Sequence, residues 1–360
     1  MTEKLRPLMF IALCTVLALA IGLAACSGSD EDDDDDDDWF DDDDDGGGLD
    51  DFLDALPDPL NLRLSLPESD AKDLGELAQL YRDTVNFTTD VNEHALMFLS
   101  WIDEITSYPP SNYDEQDDAY TWGPWNAGGL YGGEYRFVMT RGSQGYYEYV
   151  LQGRSRGSED PWGNVWSGHV DVSDAQTARR GVGSYSVDFD AARSIELWMV
   201  EEGQVIVTYD TINDGRAIDV EYVGFKPDDD DYQDLVDGLY SYHNRADDSG
   251  EFTFDVLADM HYEQYHGEQY DQREHFWFNT RWYGDGRGRS DVLVTDGDLP
   301  DIEVGGSTIA SYVLAECWGN DFLRDYWLEM VVLANGNEET IEEQGIESDC
   351  SFDQQLPEVK

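Results

Sequence analysis

The sequence predicts a mainly β protein with one long N-terminal helix, an α+β arrangement. In it a strongly curved antiparallel sheet, or partial barrel, of about 11–12 strands packs on the helix. Three observations lead there. Apolar residues recur at steps of three and four between residues 74 and 105. From Tyr120 onward the period falls to two, and short turns rich in Gly, Asn and Asp separate the alternating stretches.

The helical stripe comprises Leu74, Leu77, Tyr81, Val85, Thr88, Val91, Ala95, Phe98, Ile102 and Ile105. Such spacing puts one apolar face along a single amphipathic helix. The expected start is near Ser69 or Asp70, and Pro109-Pro110 sets the end, because a residue before proline disfavours helical backbone. About 35 residues would form a rod of ~50 Å. An Asp-rich helix with β-branched residues is marginal alone, so its stripe needs a partner surface.

Strands are expected at 134–141, 146–152, 164–172, 183–189, 204–209, 217–223, 251–262, 274–283, 290–294, 307–316 and 326–333. Turn signals lie between them at 142–145, 213–215, 248–250, 284–288 and 335–336. Neighbours joined by such short turns are antiparallel, since parallel strands require long crossovers. A sheet this wide curls or closes, and the helix would cover its concave side. The competing architecture is a two-layer sandwich with the helix outside.

Ahead of the body, Lys4 and Arg6 precede an apolar run from Leu8 to Leu23 that ends Leu23-Ala24-Ala25-Cys26. A basic start, a short apolar core and small residues describe a secretory signal rather than a membrane span. Small residues leading into a cysteine form a lipobox, which resembles the export signal of bacterial lipoproteins. That resemblance implies lipidation of Cys26 after cleavage and a membrane partner reached through the N-terminal lipid. Ser27 rather than Asp follows Cys26, which favours the outer membrane of the cell envelope. Residues 1–25 are thus read as signal peptide, 26–56 as an acidic disordered tether and 57–360 as one helix-plus-β domain. The tether holds unbroken acid runs at 32–38 and 41–45 followed by three glycines. Such a block repels itself and buries no apolar surface.

Charge is extreme: 80 acidic against 21 basic residues, formally −59. The acidity extends into the body, so nucleic acid and anionic lipid surfaces are excluded as partners, because both need basic footprints. It suits a protein working in high salt, where screening weakens self-repulsion. Of four cysteines, Cys14 leaves with the signal and Cys26 is the acylation site. Cys317 and Cys350 remain as an even pair in an oxidising compartment and read as one disulfide.

No catalytic constellation is legible. Gly142-Ser143-Gln144-Gly145 lacks the spacing of a nucleophile elbow, and phosphate-loop and dinucleotide motifs are absent. His261, Glu263 and His266 are close in sequence, but strand alternation splits them between two faces. Asp210, Asp214, Gly215 and Glu221 partly match a calcium loop, yet Ile212 occupies a ligand position, so a hairpin turn is expected. No metal or cofactor is therefore assigned. Trp122, Trp125, Trp162, Trp166, Trp277 and Trp282 read as core, with a sugar-binding platform or an apolar channel as alternatives.

The lipobox, acidic spacer, long helix, Tyr108-Pro109-Pro110, Thr121-Trp122-Gly123-Pro124 and Glu316-Cys317-Trp318 together resemble a group of acidic bacterial lipoproteins. The likeness covers roughly residues 75–330. That group has no assigned activity, so it implies location rather than chemistry. In architecture alone the chain is similar to periplasmic lipoprotein carriers, whose sheet and helix enclose an acyl chain. The functional expectation is a structural or ligand-binding module without enzymatic activity. A carrier of apolar molecules and a glycan-binding or glycan-hydrolysing surface protein are the alternatives.

Overall fold

The computed structural model describes residues 48–67, 77–126, 132–195, 200–212, 215–226, 236–258 and 272–357. Four helices occur there: α1 (Leu49–Ala55), α2 (Pro59–Leu62), α3 (Gln79–Thr106) and α4 (Phe189–Ile195). The strands are β1 (Asn112–Asp114), β2 (Ala119–Asn126), β3 (Gly133–Arg141), β4 (Tyr146–Ser155), β5 (Gly163–Asp171) and β6 (Val182–Asp188). They continue with β7 (Glu202–Asp210), β8 (Gly215–Lys226), β9 (Val236–Arg245), β10 (Gly250–Ala258) and β11 (Glu274–Trp282). Last come β12 (Gly288–Asp296), β13 (Glu303–Val304), β14 (Ser307–Trp318), β15 (Arg324–Leu333) and β16 (Glu338–Gly345). Every strand pairs antiparallel with its predecessor in one unclosed sheet, save that β13 pairs only with β14 and β14 also pairs with β12.

The strand count exceeds the expected 11–12, and each of the five additions has its own reason for escaping the pattern. β1 and β13 are too short to show a period. β2 carries Gly123-Pro124 and a register shift between Trp122 and Trp125, which breaks its alternation. β9 has Asp237-Gly238 directly after its first residue, Val236, although Tyr240 and Tyr242 behind them are buried. β16 carries four glutamates among its eight residues and forms one sheet edge, where charge discourages pairing with further strands.

Two boundaries also move. Helix α3 starts at Gln79, not near Ser69 or Asp70; Ala78 is extended and its N–H donates to the Phe322 carbonyl at 2.9 Å. Docking beside Phe322 and Trp318 holds Leu77 and Ala78 out of the helix. The packed body begins before residue 57, because α1 buries Phe52 against the rings of Tyr120 and Tyr147. Acid runs mask that helix in the sequence.

One face of the sheet, here the inner face, packs on α3. Phe87 contacts Phe254 on β10 and Phe278 on β11, with ring centroids 5.4 and 5.3 Å away. The chain from α1 to Leu66 joins the same core. It is fixed to α3 by Asn92, whose side chain accepts from the Leu64 N–H and donates to the Leu64 carbonyl. The tyrosine hydroxyl of Tyr242 donates to the Ser65 carbonyl from β9. Period-two alternation delivers Phe137, Tyr149, Trp166, Tyr185, Val207, Tyr242, Phe252 and Phe276 to this continuous apolar cluster.

Part of the outer face is covered by the chain's own C-terminal segment. Over β11–β15 lies the C-terminal segment: Leu356 packs on Trp277, Leu293, Val313 and Met330. Phe352 stacks on Tyr283 at 4.4 Å. Being covered on both sides explains why β12 is buried along nearly its whole length.

Candidate functional site

A polar cluster sits where the first turns of α3 meet the inner face of β11, β12, β14 and β15. Ala78 has no capping side chain to offer the helix. Glu316, fully buried on β14, does this instead: Oε2 accepts from the Leu80 N–H, and the Gln79 N–H bonds the same carboxylate. The positive end of a helix stabilises such a carboxylate. Its other oxygen accepts from Arg324 Nε at 2.5 Å. The Arg324 guanidinium also lies 4.4 Å from the ring centre of Trp327, the residue opposite Glu316 in the ladder. Behind them, the hydroxyls of Thr84, Thr280 and Ser290 form a chain with links of 2.7 and 2.6 Å.

Asp83 gives the cluster its unusual electrostatics. Burial, reinforced by the Glu316 charge and opposed by Arg82, pushes its carboxyl up to about 7. Burial raises Glu316 as well, against the pull of Arg324 and the helix N–H groups. Four buried polar atoms around this turn have no hydrogen-bond partner among the described residues: Gln79 Nε2, Arg82 Nε, Asp83 Oδ2 and Trp327 Nε1. Each such group costs about 1–3 kcal/mol. The arrangement holds a helix in place and can bind a proton near neutral pH.

A second ionic group lies under the C-terminal segment on the outer face. Arg289 and Asp291, both fully buried on β12, pair at 2.8 Å, with Arg281 joining Asp291 at 3.1 Å. The Gln355 N–H donates to Asp291, and Arg289 donates to the Phe352 carbonyl. Burial raises Asp291, partly offset by the two arginines. Cys317 and Cys350 stand at disulfide distance, with S–S 2.10 Å and Cα atoms 5.7 Å apart, and tie this segment to β14.

Other residues singled out from sequence are distributed as follows. Cys26, His261, Glu263 and His266 lie outside the described residues. Asp210 ends β7 and Gly215 opens β8, and these two strands pair antiparallel; Asp214 lies outside the described residues. Among the described residues no three metal-ligating side chains gather. No helix of the described residues is long and apolar enough to cross a membrane. Trp122, Trp166, Trp277 and Trp282 are core, whereas Trp125 and Trp162 are half-buried. Asp83 and Arg324 escaped sequence reasoning. An acid within the apolar stripe of α3, between Leu80 and Phe87, was the available signal for the first.

Comparison with protein-family models, with curated proteins and with solved structures finds no match to this chain.

Proposed function

We propose that the chain is a lipid-anchored lipoprotein of the bacterial cell envelope, held at the outer membrane, whose β body acts by binding or by structure rather than by catalysis. One observation carries this reading: a basic start and a short apolar run close on Leu23-Ala24-Ala25-Cys26, followed at once by an acidic spacer. A non-catalytic body is supported by the interior carboxylates. Glu316 caps a helix, and Asp291 is enclosed by arginines and the C-terminal segment. The test is metabolic labelling with a clickable fatty acid in the native host. Wild-type protein takes the label and Cys26→Ala does not; equal labelling of both overturns the assignment.

A second reading, carriage of an apolar molecule, draws on the span of the sheet. The first turn of α3 meets β14, while the Tyr108 carbonyl, just past its end, accepts from Trp122 on β2. Laid flat, those strands are eleven spacings apart, about 53 Å at ~4.8 Å each. The helix between them covers only about 42 Å. A sheet curled round the helix reconciles the two lengths and makes an aromatic-lined concave wall. Native mass spectrometry of protein from its own host tests it, since co-purifying lipid supports carriage and bare protein counts against it.

A further inference from the structure

The outer face of β3–β5 contrasts with the rest of this acidic chain. Arg136 on β3 and Arg154 on β4 both lie over the indole of Trp162, which precedes β5, at 4.7 and 4.4 Å from the ring centre. Glu134 fixes Arg154 through two hydrogen bonds of 2.9 and 2.8 Å. Arg136 has no carboxylate within ion-pair distance among the described residues, though acids outnumber bases 80 to 21. Its Nε donates to Gln152 Oε1 at 2.9 Å, and Gln152 Nε2 donates to Asn164 Oδ1 at 2.9 Å. A row of planar polar groups thus crosses three adjacent strands beside a half-buried indole, with Asn164 exposed at its end. Burial and the neighbouring Arg154 charge both act against the charged form of Arg136, a conflict that a bound anion would relieve.

From this we infer that the outer face of β3–β5 binds a carboxylated oligosaccharide. The inference rests on the reading of the body as a binding module and names its ligand class. A guanidinium matches a carboxylate with two parallel hydrogen bonds, which Arg136 is free to make with its terminal nitrogens. The half-buried indole, beside rather than beneath the two guanidiniums' ligand, adds an apolar edge against which a sugar ring can pack. Gln152 and Asn164 place amide donors and acceptors where ring hydroxyls need both. A guanidinium without its own carboxylate argues for a uronic acid over a neutral sugar: Glu134 is taken by Arg154, and Glu159 and Asp160 of the β4–β5 turn, which balance Arg156, form no ion pair with Arg136.

Isothermal titration of the full chain purified from its host, with hexagalacturonate as probe, tests the inference. Wild-type protein should bind, and Arg136→Gln and Trp162→Ala should each weaken binding at least about tenfold. Arg287→Gln, in a distant turn, should bind as wild type does. Unchanged near-ultraviolet circular dichroism establishes that the variants are folded, and Arg136→Lys, which keeps the charge without the fork, should recover part of the loss. Absence of binding overturns the inference, as does equal binding by Arg136→Gln. Maltohexaose binding as tightly as hexagalacturonate overturns the carboxylate assignment, and a ten-residue polyaspartate binding more tightly overturns the sugar. Lipid at Cys26 is scored separately by fatty-acid labelling, so failure of the ligand and failure of the anchor are distinguishable.

Discussion

Glu316 on β14 caps the first turn of α3 from 236 residues further along the chain, accepting the Leu80 N–H at 2.5 Å. Most helices find this partner one to three residues upstream. Here the local position is Ala78, which offers none. The helix therefore gains its cap only once β14 has joined the sheet, coupling segments far apart along the chain.

Removing that cap should be costly. Glu316→Ala leaves two helix N–H groups without their acceptor and Arg324 without its carboxylate, a loss of roughly 3 kcal/mol. Glu316→Gln, which keeps an acceptor, should lose less. Urea unfolding followed by far-ultraviolet circular dichroism measures both, and equal stability of Glu316→Ala and wild type would show that the contact contributes nothing.

Asp83 should make stability depend on pH near neutrality. Burial pushes its folded carboxyl up to about 7, from an ordinary value of 3.8. A raised carboxylate keeps its proton in the folded protein while the unfolded chain loses it. The contribution is therefore fully present below pH 4 and disappears as pH rises towards 7. Over that window it amounts to roughly 4 kcal/mol. Arg82, Glu316 and Arg324 are the charged groups around it, and Asp83→Asn removes the titration while leaving them in place. Between pH 5 and pH 8 Asp83→Asn should therefore gain on wild type by roughly 3 kcal/mol; a constant difference contradicts the assignment.

The pair Cys317 and Cys350, 33 residues apart, should behave as a closed loop. Intact mass should rise by ~2 Da on reduction. Cys350→Ser should lower stability by about 3–4 kcal/mol on the chain-entropy account. Because Phe352 and Leu356 follow the bond, hydrogen exchange should rise first across residues 346–357. An unchanged mass would leave both thiols free.

The helix–sheet contact has a direct probe in Phe87, buried between Phe254 and Phe278. Truncation to Ala should lower stability by about 3–5 kcal/mol. Leu60, which is 70% exposed on α2, serves as the neutral counterpart. Its replacement by Ser should stay within ~0.5 kcal/mol. Thermal or urea denaturation of the two variants side by side decides whether α3 is part of the core.

Legibility differed from element to element for physical reasons. Strands with one buried face, such as β4 and β10, announce themselves because alternate side chains must meet different environments. β16 has no buried face, and β2 interrupts its own period with Gly123-Pro124, so neither carries that signal. The Cys317–Cys350 pairing was readable by counting. The partnership of Asp83 with Glu316, and of Arg136 with Trp162, was not, since nothing in a linear pattern brings residues from separate strands and helices together.

By itself the sequence determined the acid surface, the antiparallel β class and the signal-like stretch ending at Cys26, because charge and periodicity are properties of neighbouring residues. Only the tertiary structure decided where α3 begins, which face of each strand is inner, and which few polar groups are enclosed. Those depend on strand register and helix docking, and a carboxylate such as Glu316 acquires its role from a backbone amide that lies two-thirds of the chain away.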